Sequence, residues 1–461
     1  MNWKKFFLLA GPLVFLIVRF IPIEGLSTQG QAVLACTCWI AIWWISEALE
    51  LAVTSLVPII ILPLSGGLTI DQTTTSYGNP FIFLFMGGFI VGMAIENWGL
   101  HRRIAFKIIG LVGTGEKKMI LGFMLATAFL SMWLSNTATA IMMLPIGISV
   151  IKHLGDKQPF SKNLMLGIAY AASIGGMATL IGTPPNLNLA GVVREAYQIE
   201  ISFLQWMLFA LPFSIVLLMA TYFFLTRYKI TSAVNPEDLK MEDLGKMSIP
   251  ERRVLIVFTL VAFFWITRSF LWNGLLSALD DTLIAIIGAL LMFIIPSGEG
   301  KGALMNWKSA KKLPWDVLLI FGAGLAIAKG FSQTDLATWL ASQFMAVDFL
   351  PAMVISLIVI AGINFLTEVT SNTATASMVL PLLITLAASL NMPPLPLLVG
   401  AALAASCAFM LPVATPPNAI VFSSGKIKIG DMVRTGLWLN FTSIILIFLF
   451  IHYWWMVVWV S

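Results

Sequence analysis

Eleven apolar stretches, each long enough to cross a bilayer, dominate this chain and leave it few ways to fold. They lie near 6–23, 31–48, 51–68, 81–99, 164–182, 203–226, 254–272, 281–296, 315–331, 395–413 and 435–459. A membrane-spanning helix needs about 20 predominantly apolar residues, whereas barrel strands would alternate over about ten. In hydrocarbon, backbone N–H and C=O groups have no water to bond, so runs of this length must become helices. Composition agrees. Of 461 residues, 59% are hydrophobic and only 11% charged, against roughly 25% charged in a soluble domain. A soluble enzyme is excluded, and the fold class is an all-α polytopic membrane protein. The apolar start of the chain follows Lys4-Lys5 and meets no small-x-small cleavage site, so it is taken as a retained first span.

Two further apolar stretches, 119–151 and 351–390, are too long for one helix and carry polar motifs at their centres. That is the pattern of a re-entrant hairpin, tolerated only where protein or a water-filled cavity surrounds it. With a cytoplasmic N-terminus and both hairpins returning to their own side, 23 of the 27 basic residues fall in cytoplasmic segments, as the positive-inside rule requires. Arg19, Arg194, Arg268 and Lys329 are the four that fall elsewhere. The expected location is the cell inner (plasma) membrane.

The chain also repeats itself. Residues 131–145, SMWLSNTATAIMMLP, and residues 367–381, TEVTSNTATASMVLP, agree in nine of fifteen positions at an offset of 236. Phe85, Gly88 and Leu100 pair with Phe321, Gly324 and Leu336 at the same offset, and Gly182-Thr183-Pro184-Pro185-Asn186 is echoed by Ala414-Thr415-Pro416-Pro417-Asn418. Five spans separate the two hairpins, an odd number, so the second copy enters from the opposite face. The expected organisation is two inverted-topology repeats with about 11 transmembrane helices and two opposed hairpins. The first repeat covers 1–228, with its hairpin at 119–151 and a broken helix at 182–186. A polar cytoplasmic linker covers 229–251, and the second repeat 252–461, with its hairpin at 351–390 and a break at 414–418.

A lone SNT triplet could serve only helix packing, and a lone TPPN only a kink. Their duplication at matched spacing in opposed orientation points instead to a transport site, because inverted repeats bind substrate near the midplane at the repeat interface. Hairpin tips expose the free N–H groups of a helix N-terminus, which suit anions. Their hydroxyl and amide oxygens, with unwound carbonyls at Gly182 and Ala414, suit a hard cation such as Na⁺. Two facing half-sites fit a substrate with a carboxylate at each end, and no basic residue lies in either motif. Bound cations would compensate the charge.

With SNT twice and TPPN twice in that order, the chain resembles the divalent anion/Na⁺ symporter family, the INDY-type di- and tricarboxylate transporters, over essentially its whole length. The resemblance implies a homodimer in the lipid bilayer, moving a transport domain against a dimeric scaffold as an elevator. Carried over by motif, it implies one Na⁺ site at Ser131, Ser135, Asn136 and the Gly182 backbone, and another at Thr367, Ser371, Asn372 and the Ala414 backbone. Substrate carboxylates would meet Asn136, Thr137, Asn372 and Thr373, with Thr183, Pro184, Thr415 and Pro416 lining the pocket. The expected function is import of C4-dicarboxylates of the succinate, malate and fumarate class by Na⁺ symport. The family also holds Na⁺-independent dicarboxylate exchangers, which the SNT motif does not separate.

Intramembrane acids default to functional hypotheses. Glu368, three residues before Ser371, is read as a partner for local backbone N–H groups, with proton coupling as the alternative. Glu47 and Glu50 fall at a span end and are read as interfacial. No nucleophile–base pair, metal cluster or paired-Asp arrangement suggests an intramembrane enzyme, and nothing suggests a nucleic-acid partner. Two separate broken helices fit alternating access better than a channel filter. The Trp and Phe residues are assigned to core and membrane interface.

Overall fold

A computed structural model describes residues 3–113, 115–153, 158–228, 244–272, 278–298, 300, 302–344 and 349–459. Helices carry nearly all of it; among the described residues the only β pairing is an isolated bridge between Pro296 and Ala303. Every apolar stretch read from the sequence falls on a helix, but not always one of full length. Six helices among the described residues are long and apolar enough to cross a membrane, while Asp281–Ile294, Ala352–Leu366 and Pro394–Ala405 are shorter. The stretch near 51–68 is divided into Leu51–Thr54 and Val57–Ser65. The linker expected at 229–251 lies outside the described residues over 229–243, as do Lys157 and Lys301 of the basic clusters. Its last residues are already helical, since Ser248 and Glu251 form a reciprocal capping box at the start of Ile249–Thr267.

Two helices that no full-length apolar run announces, Leu100–Val112 and Leu336–Phe344, lie just before the paired helices. Leu100–Val112 packs along Glu116–Ser131, and Leu336–Phe344 against Asn372–Ser389. Arg103 on the former forms a fork with Glu251, both contacts at 3.1 Å, and donates to the carbonyls of Leu244, Gly245 and Lys246. Bidentate geometry of this kind fixes orientation as well as supplying charge.

Each of the two long motif-bearing stretches is a helix, a short turn and a second helix: Glu116–Ser131 with Asn136–His153, and Ala352–Leu366 with Asn372–Ser389. Each TPPN segment follows a helix that stops and restarts. Phe160–Met177 ends, residues 178–183 run without helix, and Pro184–Tyr197 begins; likewise Pro394–Ala405 ends, 406–415 unwind, and Pro416–Phe422 begins. Proline dictates the restart. A residue before proline is pushed to extended backbone, and proline tolerates the first helical turn because its missing N–H would be unpaired there anyway. Thr183 (φ −146°, ψ 143°) and Thr415 (φ −141°, ψ 148°) accordingly adopt nearly the same conformation.

The packing of these elements is reciprocal. Pro184–Tyr197 packs on Asn372–Ser389, and Pro416–Phe422 packs on Asn136–His153, so each restarted helix rests on the other half's paired helices. Within each half the backbones also approach closely. A Cβ at Gly175 would come within 2.2 Å of the Ala128 carbonyl oxygen, and one at Gly436 within 2.2 Å of the Phe409 carbonyl oxygen. Gly175→Val is therefore expected to lower stability by about 1–3 kcal/mol, read as an earlier thermal loss of monodispersity in detergent. Gly110→Ala, where a Cβ meets nothing within 4 Å, should leave that temperature unchanged or higher.

Candidate functional site

The first turns of the four helices that begin at Asn136, Pro184, Asn372 and Pro416 line one cavity of about 870 Å³. All eight residues expected to meet substrate line it: Asn136, Thr137, Thr183, Pro184, Asn372, Thr373, Thr415 and Pro416. So do Ser135, Gly182, Ser371 and Ala414 from the expected cation sets. All four helix N-termini carry partial positive charge, and the two that begin at Asn136 and Asn372 add N–H groups that the proline-led restarts lack, so their convergence gives the cavity an anion-attracting floor without a lysine or arginine in the motifs.

Ser131 and Thr367 do not line the cavity. Both are fully buried one layer behind it and act through their asparagines: Ser131 Oγ donates to Asn136 Oδ1 at 2.6 Å, and Thr367 Oγ1 lies 2.7 Å from Asn372 Oδ1. The Thr367 hydroxyl is also 2.8 Å from the Ala405 carbonyl. Asn136 is held from the other side as well, since a Cβ at Gly176 would sit 2.5 Å from its Oδ1. Each expected cation set thus gathers a hydroxyl and an amide oxygen in contact, beside an unwound backbone. An all-oxygen set of this kind fits a hard cation.

The unwound segments survive burial because side chains bond their backbone. Asn186 is fully buried, and its Nδ2 donates to the carbonyls of Gly176 (3.2 Å), Met177 (3.2 Å) and Thr179 (2.7 Å). Asn418 repeats the arrangement toward Ala408 (3.2 Å) and Leu411 (3.0 Å). Thr179 Oγ1 ties the first break to the turn of the first helix pair, donating to the Met132 carbonyl at 2.6 Å and accepting from Gly182 N–H at 3.1 Å. In the second half, the buried Glu368 carboxylate accepts from the N–H groups of Phe409, Met410 and Leu411 and from Asn440 Nδ2. The partner role read for Glu368 from the sequence is the one its side chain occupies.

Several site residues were not assigned from the sequence. Asn186 and Asn418 stand in the repeated motif, so their duplication was the available signal. Asn188 Nδ2 donates to Ser377 Oγ at 2.7 Å and the Thr373 carbonyl at 3.3 Å, joining the two halves beneath the cavity; nothing in the repeat marks it. The exposed side chains of Glu47, Glu96, Lys312 and Asp316 form the cavity's mouth, which gives Glu47 a place beyond the interfacial one expected. Trp133, also lining the cavity, stacks on Phe203 and Trp265 at centroid distances of 5.9 and 6.4 Å.

Removing one buried partner strands the other at about 1–3 kcal/mol. Asn186→Ala should therefore lower the unfolding temperature more than Asn418→Ala, because it releases three carbonyls against two, and thermal scans of the two purified variants will check the order.

With the geometry described, comparison with known proteins places the chain. The family model for the sodium:sulfate symporter transmembrane region matches residues 1–461. A sodium-dependent dicarboxylate transporter SdcS of Staphylococcus saprophyticus is 46% identical over 470 residues, covering 97% of this chain and 90% of that protein. The SdcS of Staphylococcus aureus strain USA300 is 46% identical over 469 residues with the same coverage. Among solved structures, the YdaH transporter of Alcanivorax borkumensis aligns with a TM-score of 0.60 at 14% identity, over 85% of this chain and 88% of that one. MtrF of Neisseria gonorrhoeae aligns at 0.59 and 14%, over 96% and 97%. These two share the fold alone. The chain is a helical, multi-pass membrane transporter rather than an enzyme, and it belongs to the sodium:sulfate symporter transmembrane-region family.

Proposed function

We propose that this protein is a secondary transporter that imports C4-dicarboxylates of the succinate, malate and fumarate class together with Na⁺. The observation that carries this reading is the convergence of both SNT tips and both TPPN restarts on one cavity. The SdcS relatives, named for sodium-dependent dicarboxylate transport, favour the same substrate and ion. Helix N-termini and the amides of Asn136 and Asn372 would hold the two carboxylates. Na⁺ would bind at Ser131, Ser135, Asn136 and the Gly182 carbonyl, and at Thr367, Ser371, Asn372 and the Ala414 carbonyl, offsetting the charge of the dianion. Each asparagine then serves ion and substrate at once, which couples the two bindings through a shared side chain.

The paired helices are the re-entrant hairpins of two inverted repeats in this reading, and about 11 spans complete them. The protein works as a homodimer whose cavity moves across the bilayer by an elevator step. The mouth carries Lys312, from a basic segment assigned to the cytoplasm, so this conformation faces inward with the N-terminus cytoplasmic.

Radiolabelled succinate uptake into proteoliposomes, with and without an inward Na⁺ gradient and with no internal substrate, tests the reading. Uptake should require Na⁺. Uptake that ignores Na⁺ but needs internal dicarboxylate would make the protein an exchanger and remove both sodium assignments. Asn136→Ala and Asn372→Ala should each abolish uptake while the protein remains monodisperse; full activity in either would overturn the site.

A further inference from the structure

The two halves repeat each other in sequence, yet they secure their unwound segments by different chemistry. At the offset of 236 that aligns the SNT motifs, Glu368 corresponds to Met132. In the first half the job falls to neutral groups, Thr179 Oγ1 bridging the Met132 carbonyl and the Gly182 N–H. In the second half the unwound stretch is longer, 406–415 against 178–183, and three successive N–H groups turn toward one point. Such a run of N–H groups makes an anion-binding concavity, and a side chain of the same protein fills it. Glu368 Oε1 accepts from Phe409 N–H at 2.7 Å, Met410 N–H at 3.0 Å and Asn440 Nδ2 at 2.7 Å; Oε2 accepts from Met410 and Leu411 N–H, both at 3.1 Å. The residue is 3% exposed.

Every one of those donors is neutral. Among the described residues no lysine, arginine or histidine bonds this carboxylate, so it is solvated by N–H groups without a countercharge. A buried charge in that state is costly unless a cation lies close. Thr367, the neighbouring residue, bonds Asn372 and belongs to the second expected Na⁺ set. The clamp also reaches that set from its far side. The Leu411 carbonyl accepts from Ala414 N–H at 3.2 Å and from Asn418 Nδ2 at 3.0 Å, so the strand Glu368 holds is the strand that aims Ala414.

We propose that Glu368 is the positioning residue of the second cation half-site: its carboxylate clamps residues 409–411 so that the Ala414 carbonyl faces the site, and its fixed negative charge draws Na⁺ there. The first half-site has no such charge, so the two differ in affinity and the second fills first. This rests on the Na⁺-symport reading above. It also gives the coupling a physical cause, since the same charge repels a dianion until Na⁺ has screened it.

The test compares wild type, Glu368→Gln, Glu368→Asp and Asn440→Ala, with equilibrium binding of radiolabelled Na⁺ to purified protein, succinate uptake against Na⁺, and hydrogen exchange at 409–411. Outer-shell partners of a bound ion are worth about 10–100-fold in its affinity. Glu368→Gln should weaken one class of Na⁺ sites by that factor, leave the succinate KM at saturating Na⁺ within about twofold, and speed exchange at 409–411. Glu368→Asp keeps the charge but falls one methylene short, so it should speed exchange with a smaller loss of Na⁺ affinity. Asn440→Ala, which leaves the charge and the three backbone donors in place, should weaken Na⁺ binding in the same direction and serves where the glutamate variants do not fold. Unchanged Na⁺ affinity in these variants, or a rise in succinate KM alone, overturns the proposal. Should wild-type uptake ignore Na⁺, the symport reading falls first; unaltered exchange at 409–411 in Glu368→Gln would then separately remove the clamp.

Discussion

A helix that unwinds inside an apolar protein leaves carbonyl and N–H groups with nothing to bond, and the whole site depends on how that debt is settled. Each unpaired buried polar group costs about 1–3 kcal/mol, so a break of six or ten residues without partners would not persist. Asn186 and Asn418 carry the carbonyl side, while Thr179 and Glu368 carry the N–H side. Proline then restarts the helix with no N–H to lose at its first position. The restarted helices begin with two prolines each and bond the N–H groups of Asn186 and Asn418 to the Thr183 carbonyl and Thr415 Oγ1, so the free N–H groups offered to the cavity belong to the helices that begin at Asn136 and Asn372. The breaks are supported because the carbonyls of Gly176, Met177, Thr179, Ala408 and Leu411 and the N–H groups of Gly182, Phe409, Met410 and Leu411 find side-chain partners.

Close packing sets how tightly the broken helix of the first half sits against its own helix pair. Gly175 sits against the Ala128 backbone, and a Cβ at Gly182 would lie 2.4 Å from the Gly176 carbonyl oxygen. Gly176 in turn seats Asn136. A chain of glycines therefore runs from the hairpin arm through the broken helix to the amide that the site depends on. Small residues matter more in a membrane than in water, because lipid tails are as apolar as leucine and association rests on contact and hydrogen bonding. Larger side chains fill the interior where buried Phe203 and Trp265 stack with Trp133 of the turn of the first helix pair.

How much of this was legible in the sequence follows from what each signal encodes. Apolar runs encode burial, so the positions of the helices were readable, but hydropathy does not mark where Asp281–Ile294 or Pro394–Ala405 stop. The cavity-lining residues were readable because each is a local motif present twice, and all eight of the expected substrate contacts lie on one surface. Depth was not readable. Ser131 and Ser135 are four residues apart across the turn, yet one is buried behind Asn136 and the other lines the cavity. Nor could a repeat reveal what is not repeated: the mouth residues Glu47, Glu96, Lys312 and Asp316 come from separate segments of the first and second halves, and only the fold assembles them.

Two copies that bind different things cannot stay identical, and the unrepeated features show where these two have diverged. Asn188 bonds Ser377 across the halves, while the position matching Ser377 in the first half is Ile141 and the one matching Asn188 in the second is Ile420. The polar link between the halves is thus made once and not repeated. The same division separates the neutral Thr179 bridge from the charged Glu368 clamp. On the symport reading, duplication supplies a symmetric cradle for a dicarboxylate, and divergence at a handful of buried positions would make its two ends unequal. Inequality is what gives a transporter an order of binding: ions and substrate that met two equivalent half-sites would have no reason to load one before the other, and a bound cation would gain nothing from a particular end. Here the difference is written into backbone support rather than into the ligands, which lets the SNT and TPPN motifs stay alike while the halves behave differently.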